Sequence, residues 1–174
     1  ITINPTPMAD FNADNFSICA PDDIQFTNTS SGNITSFAWD FGDSLVSFEE
    51  NPTHFYDTPG TYTVTLIVNT GECQDTIQQE VEVFEPVLAT ATPTPIECFG
   101  ETNGAIAVEV FNGTAPFEYD WSNGSQEEDQ MDLPAGIYTL TITDANGCTW
   151  VESIEVLQPD SEISINVIES IPAT

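Results

Sequence analysis

Apolar and polar side chains alternate along several short segments of this chain. Between Tyr62 and Val68 every second residue is aromatic or aliphatic, and threonines occupy most of the positions between them. The segment follows a Thr-Pro-Gly turn at 58–60, and period-two alternation after such a turn predicts a half-buried antiparallel strand. Further segments that read as strands lie at 24–28, 34–41 and 76–84. Because turns separate these segments and none has helical periodicity, they predict an all-β fold.

The same strand plan occurs twice in the sequence. A tryptophan in an early strand, a turn containing proline and glycine, and a tyrosine that starts the next strand are found as Trp39, 58–60 and Tyr62, and again as Trp121, 133–136 and Tyr138. A tryptophan and a tyrosine in these places are typical of the immunoglobulin plan. The repetition predicts tandem immunoglobulin-like antiparallel β-sandwich modules at 1–85 and 86–159, with the start of a further repeat or a terminal strand at 160–174.

The charged side chains of this sequence are almost entirely acidic. It contains 29 aspartate and glutamate residues and neither lysine nor arginine, which gives a formal net charge of −29, while 40% of its residues are hydrophobic. Such a surface repels nucleic acids and anionic lipid headgroups, so we expect no nucleic acid partner. We also expect no direct membrane insertion, because no apolar run approaches the roughly 18 residues of a membrane-spanning helix.

Four cysteines fall two to a module, as Cys19 and Cys73 and then as Cys98 and Cys148. None of them forms a CxxC pair, and the chain has a single histidine, so disulfides are favoured over a zinc site. We predict one disulfide within each module, Cys19–Cys73 and Cys98–Cys148. Each would close a loop of about 50 residues and contribute roughly 4 kcal/mol on the chain-entropy estimate. Disulfides imply an oxidising compartment. Because the sequence also shows neither a signal peptide nor an initiator methionine, we expect an internal or processed piece of a longer secreted, extracellular or cell-surface protein.

The first module contains a specific motif. It comprises Trp39-Asp-Phe-Gly-Asp43, then Asn51-Pro52 and Tyr56, and finally the Pro-Gly-Thr-Tyr segment that ends at Tyr62. These residues resemble the PKD family over about residues 4–85, which implies an immunoglobulin-like sandwich used as an extracellular spacer and interaction module. Ser44 stands where that family commonly has glycine. Val64 stands where the immunoglobulin plan has its second core cysteine, so we expect the disulfide of this module to fasten loop ends.

The second module carries a different set of motifs. They are Cys98-Phe-Gly100, Thr102-Asn-Gly104, the segments 113–119 and 133–138, and Thr143-Asp-Ala-Asn-Gly-Cys148. Over about residues 86–159 these motifs resemble the SprB repeat of Bacteroidota surface adhesins. The resemblance implies a cell-surface protein exported by a type IX secretion route, and some members of that family serve adhesion during gliding motility.

Clustered carboxylates suggest calcium as a candidate ligand. Asp40 and Asp43 lie three positions apart in a predicted turn, and calcium binds loop oxygens of this kind. Asp22 with Asp23, and Asp144 with Asn146, are similar possibilities, although none has the spacing of an EF-hand. The alternative is that these side chains accept hydrogen bonds from backbone donors of their own turns. We assign Asp40 and Asp43 as a candidate calcium site and expect no required cofactor.

The chain offers little for catalysis. Without lysine or arginine, a pair of nucleophile and base could only involve His54, which lies inside the motif of the first module. We therefore expect a non-enzymatic protein: a structural or adhesive segment of a large bacterial surface protein or filament, acting as a disulfide-stapled rigid spacer and interaction module. Its expected partners are neighbouring modules or copies of the same protein, through edge strands at 1–3 and 163–168, and surface polysaccharide. The alternative is a pair of accessory, substrate-targeting modules of a secreted hydrolase.

Overall fold

The computed structural model describes residues 6–160, and strands connected by turns and loops make up this part of the chain. The strands are β1 (Phe11–Ala13), β2 (Ser17–Cys19), β3 (Asp22–Asn28), β4 (Ser36–Asp40), β5 (Val46–Ser47), β6 (Thr53–Tyr56), β7 (Gly60–Asn69), β8 (Gln74–Phe84), β9 (Leu88–Thr94), β10 (Gly104–Asn112), β11 (Glu118–Trp121), β12 (Gln130–Leu133), β13 (Gly136–Thr143) and β14 (Thr149–Val156). Among the residues described, no helix is long and apolar enough to cross a membrane.

The chain forms two compact units. Within the described residues, unit 1 comprises 6–87 together with two short segments, Asn112–Ala115 and Asp144–Cys148, and unit 2 comprises the remainder from Leu88 onwards. The two short segments come from the sequence of the predicted second module, so unit 1 is not contiguous in sequence. The predicted further repeat at 160–174 lies, apart from Asp160, outside the described residues, as do the edge segments predicted at 1–3 and 163–168.

Unit 1 is a sandwich of two antiparallel-rich sheets. The larger sheet has the strand order β2-β8-β7-β4-β5 and the smaller has the order β1-β3-β6. β7 and β8 pair along their whole length, from Gly60 opposite Val83 to Asn69 opposite Gln74, whereas β2 runs parallel to β8. The long β7–β8 hairpin therefore forms the centre of the larger sheet.

The alternation of β7 produces the core of unit 1. Val64, Leu66 and Val68 are fully buried, whereas Thr65 and Ile67 between them lie on the other face of the sheet and are half-buried. This burial confirms the strand predicted at 62–68. Aromatic side chains fill the space against the smaller sheet: Phe11, Phe26, Trp39, Phe41 and Tyr56.

Unit 2 is a smaller sandwich with two three-stranded sheets. Their strand orders are β12-β10-β9 and β11-β13-β14. β13 and β14 pair from Gly136 opposite Val156 to Thr143 opposite Thr149, as the β7–β8 hairpin does in unit 1. The buried side chains of this unit include Ile106, Trp121, Leu133, Leu140, Ile142, Ile154 and Val156. The predicted fold class of tandem immunoglobulin-like β-sandwiches is therefore confirmed.

Two hydrogen bonds are repeated in the two units. The indole N–H of Trp39 donates to the Glu49 carbonyl at 2.9 Å, and that of Trp121 donates to the Glu127 carbonyl at 2.9 Å. The hydroxyl of each strand-starting tyrosine donates to the carbonyl four residues before it, at 2.7 Å for Tyr62 and 2.9 Å for Tyr138. A buried tryptophan or tyrosine needs a partner for its polar atom. The two modules that share a sequence plan therefore also share these tryptophan and tyrosine hydrogen bonds.

Candidate functional site

The most distinctive site is a disulfide between Cys19 and Cys148. Their Cα atoms are 5.6 Å apart and their sulfurs 2.01 Å apart, across a sequence separation of 129 residues. Both residues belong to unit 1. Cys19 is the last residue of β2 and lies opposite Phe84, the last residue of β8. Cys148 is 1% exposed. The bond therefore closes most of the chain into one covalent loop.

The carboxylate of Asp144 shapes the turn that carries Cys148. Its Oδ1 accepts the backbone N–H groups of Asn146 and Cys148, each at 2.9 Å, and its Oδ2 accepts that of Thr114 at 3.0 Å. The backbone N–H of Asp144 in turn donates to the Cys148 carbonyl at 2.9 Å. Asp144 is 6% exposed, and a buried carboxylate needs such donors. Of the two roles considered for Asp144, these contacts match the turn-capping one.

The pairing Cys19–Cys73 predicted from the sequence is wrong. Cys73 directly precedes β8, whereas Cys19 lies beside the end of that strand at Phe84. The strand between them places the two cysteines roughly 36 Å apart at about 3.3 Å per residue. A disulfide requires Cα atoms within about 7 Å. The structure therefore separates the two cysteines of the first module, and Cys73 is an exposed free thiol.

The predicted pairing Cys98–Cys148 is wrong for the same reason. Cys148 directly precedes β14. Cys98 follows Ile96 by two residues, and the Ile96 N–H donates to the carbonyl of Leu157, just beyond the end of β14. Cys98 is therefore a second exposed free thiol. The sequence showed only that Cys73 stands directly before the last predicted strand of its module, because the segment that contacts the far end of a strand is set by the tertiary structure.

Asp40 and Asp43 bind the turn that they belong to. Asp40 Oδ1 accepts the Gly42 N–H at 2.9 Å, and Asp43 Oδ1 accepts the Leu45 N–H at 3.0 Å. Asp43 Oδ2 is 2.7 Å from His54 Nε2. In the described part of the chain, no group of three or more histidine, cysteine or acidic side chains is placed to hold a metal ion. Calcium prefers six to eight oxygens, so these residues fit it poorly, and the calcium site stays a prediction.

His54 is part of the aromatic core. Its ring is 7% exposed, is stacked on Phe41 with centroids 3.9 Å apart, and meets Tyr56 edge-on. The Tyr56 hydroxyl donates to the Phe41 carbonyl at 3.0 Å. Burial, reinforced by the nearby Asp43 carboxylate, raises the pKa of Tyr56 well above its usual range. The sequence did not reveal the contact between Asp43 and His54, because eleven positions separate them.

Gly42 is required by a close approach of two backbone segments. Its φ is +84°, and a Cβ at this position would lie 2.9 Å from both the N and the O of Thr63. Ser44, two residues later, also has a positive φ, of 79°. The left-handed region favours glycine, which is the residue commonly found at the position of Ser44 in the family that the motif resembles.

Two family models of known proteins match parts of this chain. Residues 4–84 match the family model of the PKD domain, and residues 90–126 match that of the SprB repeat. The chain carries a PKD domain followed by a SprB repeat. Both resemblances found in the sequence are thereby confirmed. The PKD match covers the strands of unit 1 from β1 to β8, and the SprB match covers most of β9 and all of β10 and β11. Domains of these two kinds occur in extracellular or surface proteins.

Several curated relatives match part of the chain, among them a collagenase and a metalloprotease. Collagenase ColA of Bacillus cereus is 40% identical over 62 residues, which is 33% of this chain and 6% of the collagenase. Pre-pro-metalloprotease PrtV of Vibrio cholerae is 43% identical over 67 residues, which is 36% of this chain and 7% of the protease. The chain therefore spans only a small fraction of the length of these relatives.

One solved structure supports the sandwich architecture of the PKD domain and the SprB repeat. The N-terminal eight Ig domains of Down Syndrome Cell Adhesion Molecule match with a TM-score of 0.62, over 88% of this chain and 27% of that one. The sequence identity is 13%. A likeness at this identity shows the fold alone.

Proposed function

We propose that the chain is a structural, adhesive segment of a bacterial extracellular surface protein or filament. In this role the PKD domain and the SprB repeat act as a spacer and interaction module held by the Cys19–Cys148 disulfide. Disulfides persist in oxidising compartments, which supports a location outside the cell. We also propose export by a type IX secretion route and a role in adhesion during gliding, and the match to the SprB repeat supports both.

The disulfide is the observation that carries the proposal. When the chain is pulled from its two ends, force passes from residue 19 directly to residue 148 through the sulfurs. The residues between them, across a separation of 129, are excluded from the extension even if their strands unfold. At about 3.3 Å per extended residue, the disulfide makes the fully extended chain about 430 Å shorter than it would be without the bond. A spacer that bears load benefits from such a limit, because it keeps its reach.

The surface of the chain favours partners that tolerate negative charge. With 29 acidic residues and neither lysine nor arginine, copies of the chain repel one another unless salt or divalent cations screen the charge. The proposed partners are neighbouring modules or copies of the same protein, and surface polysaccharide. Neutral polysaccharide is compatible with the exposed aromatic side chain of Phe48, which is 75% exposed beside a groove of about 240 Å³ lined by Trp39, Val46 and Ile67.

Single-molecule force spectroscopy tests the load-limiting role. The variant with Cys73→Ser and Cys98→Ser retains the disulfide and avoids exchange through the free thiols. Pulled from terminal handles, it should unfold with a contour length about 430 Å shorter in oxidising buffer than after reduction. The same variant carrying Cys148→Ser is the control, and its contour length should not change with reductant. Equal lengths for the first variant in both buffers would refute the proposal.

The second candidate function is that of accessory modules of a secreted hydrolase. The similarity to a collagenase and to a metalloprotease favours it. Binding of the purified chain to insoluble collagen separates the two functions. Saturable binding to collagen would favour the accessory role, whereas the structural role predicts none. For the structural role, electron microscopy of native material should show a long filament rather than a compact particle.

A further inference from the structure

Cys73 and Cys148 occupy equivalent positions in the two modules. Each directly precedes the last strand of its module, β8 or β14. The turns are closed alike: the N–H of Thr70 donates to the Cys73 carbonyl at 2.9 Å, and the N–H of Asp144 donates to the Cys148 carbonyl at 2.9 Å. In return each cysteine N–H donates to the side-chain oxygen of that same residue, at 3.3 Å and 2.9 Å. We call Cys73 and Cys148 the turn cysteines.

Cys19 and Cys98 are equivalent in the same way. The residue after Cys19, Ala20, donates its N–H to the carbonyl of Phe84 at 3.0 Å. Ile96, two residues before Cys98, donates its N–H to the carbonyl of Leu157 at 2.8 Å. Both cysteines therefore lie beside the end of the last strand of their module. We call Cys19 and Cys98 the trailing cysteines.

The bond Cys19–Cys148 consequently follows a rule. It joins the trailing cysteine of one module to the turn cysteine of the next module in sequence. The two remaining cysteines are one of each kind, the turn cysteine Cys73 and the trailing cysteine Cys98, and both are exposed free thiols. Cys73 and Cys98 are thus one cysteine of each kind that the Cys19–Cys148 bond joins, and both are exposed to solvent.

We propose that Cys73 and Cys98 form head-to-tail disulfides with modules of the same build. Cys98 bonds the turn cysteine of a following module, and Cys73 bonds the trailing cysteine of a preceding one. A second copy of this chain offers both partners, and so does a repeat of the same build in a longer polypeptide. Because each chain carries one free cysteine of each kind, head-to-tail bonding passes from chain to chain and generates a linear polymer wherever the contact does not close into a ring. This inference deepens the proposed structural function and rests on its oxidising location.

The bond forms by thiol–disulfide exchange with a small disulfide such as oxidised glutathione. The thiolate of Cys98 attacks that disulfide, forms a mixed disulfide and releases one glutathione thiolate. The thiolate of Cys73 on the second molecule then attacks the Cys98 sulfur and releases the other glutathione. Two thiols lose two protons and two electrons, and the small disulfide is reduced to two glutathione molecules that accept them.

Mixing of two single variants tests the head-to-tail rule. Cys73→Ser retains only the free trailing cysteine, and Cys98→Ser retains only the free turn cysteine, so neither can extend a chain beyond a dimer. In a glutathione redox buffer, the wild-type chain should give a ladder of disulfide-linked species on a non-reducing gel. An equimolar mixture of the variants should give mixed dimers about tenfold more often than either symmetric dimer, which is about fivefold above chance and corresponds to about 1 kcal/mol in favour of mixed pairing. Random collision gives only about a twofold excess.

Several outcomes would overturn the inference. Symmetric dimers as frequent as chance allows, or thiols that end only as glutathione adducts, would show that the modules do not recognise one another. Circular dichroism of both variants verifies that they fold. The force experiment depends only on the Cys19–Cys148 bond, so failure of the mixing experiment leaves the proposed function standing and distinguishable.

Disulfide mapping of native material identifies the source of the partner. A Cys98 peptide bonded to a Cys73 peptide means a second copy of this chain, whereas a different turn-cysteine peptide means a repeat of the same build. Both results support the head-to-tail rule. A Cys98 peptide bonded to another Cys98 peptide contradicts it.

Discussion

Cys19 and Cys148 are joined by a disulfide although 129 residues separate them in sequence. On the chain-entropy model, a loop of this length contributes about 5 kcal/mol by restricting the unfolded chain. The bond matters more than usual here, because the chain contains neither lysine nor arginine to form ion pairs with its 29 carboxylates. Cross-linking and apolar burial thus carry the stability of this acidic protein.

Peptide mapping without reduction should recover Cys19 bonded to Cys148. Free thiols are first alkylated, and the chain is then cut with proteases specific for glutamate and aspartate, because trypsin finds no lysine or arginine. In the purified monomer, before any redox buffer is added, peptides containing Cys73 and Cys98 should carry the alkyl group. A reduced sample, in which all four cysteines are alkylated, is the control. Recovery of Cys19 bonded to Cys73 would contradict the structure.

Gly42→Ala should destabilise the PKD domain more than Gly71→Ala does. Both glycines have positive φ, +84° and +92°, so both substitutions cost about 1–2 kcal/mol in backbone strain. Only at Gly42 does the new Cβ meet the backbone of Thr63, at 2.9 Å, whereas nothing lies within 4 Å at Gly71. Overpacking adds about 1–3 kcal/mol at Gly42. Urea unfolding of both variants measures the difference, and equal midpoints would disprove the close approach.

Ser44→Gly should stabilise the PKD domain by up to about 1 kcal/mol, because glycine adopts positive φ without strain but adds entropy to the unfolded chain. Ser44 is exposed, with φ of 79°. Ser36→Gly in β4 is the matched control, since Ser36 is also exposed but lies in an extended strand. That variant should lose stability. Thermal unfolding followed by circular dichroism compares the two, and a lower melting temperature for Ser44→Gly would count against the strained turn.

Tyr119 should make the SprB repeat sensitive to alkali. Partial burial, a hydrogen bond to Glu128 and repulsion from Glu128 and Asp129 raise the pKa of Tyr119 from 10.0 to about 12. Folding therefore favours the neutral phenol, so its stabilising contribution is complete below pH 10 and is lost as the pH rises from 10 to about 12. Tyr119→Phe should lose less stability over this window in urea unfolding. Identical losses in the variant and the wild type would show that Tyr119 is not responsible.

Salt should stabilise the whole chain. Its net charge is −29, and raising the ionic strength from about 0.01 M to 0.15 M shortens the Debye length from about 30 Å to about 8 Å. The melting temperature should therefore rise with sodium chloride by several degrees.

Calcium chloride tests the predicted calcium site at Asp40 and Asp43, with Asp40→Asn as the control. Because Asp40 and Asp43 already bind their own turn, wild type and variant should respond equally to calcium. A calcium response that the variant loses would establish the site.

The strands and their buried faces were predictable because they depend on local pattern. The alternation from Tyr62 to Val68 gave both the position and the buried face of β7, and the second tryptophan, Trp121, indicated the second sandwich. The contact between Asp43 and His54 was not predictable in this way. It depends on β6 carrying His54 beside the turn after β4, where the ring also stacks on Phe41.

By itself, the sequence determined that this protein is two β-sandwich modules of the PKD and SprB kinds, because strand periodicity, turn glycines and motif residues are properties of neighbouring positions. Only the tertiary structure decided which cysteines meet. The last strand of each module separates its own two cysteines by more than a disulfide can span, and Cys19 and Cys148 are the pair whose Cα atoms lie within 5.6 Å. Distance along the chain does not carry that information, since a disulfide forms between positions that folding brings together.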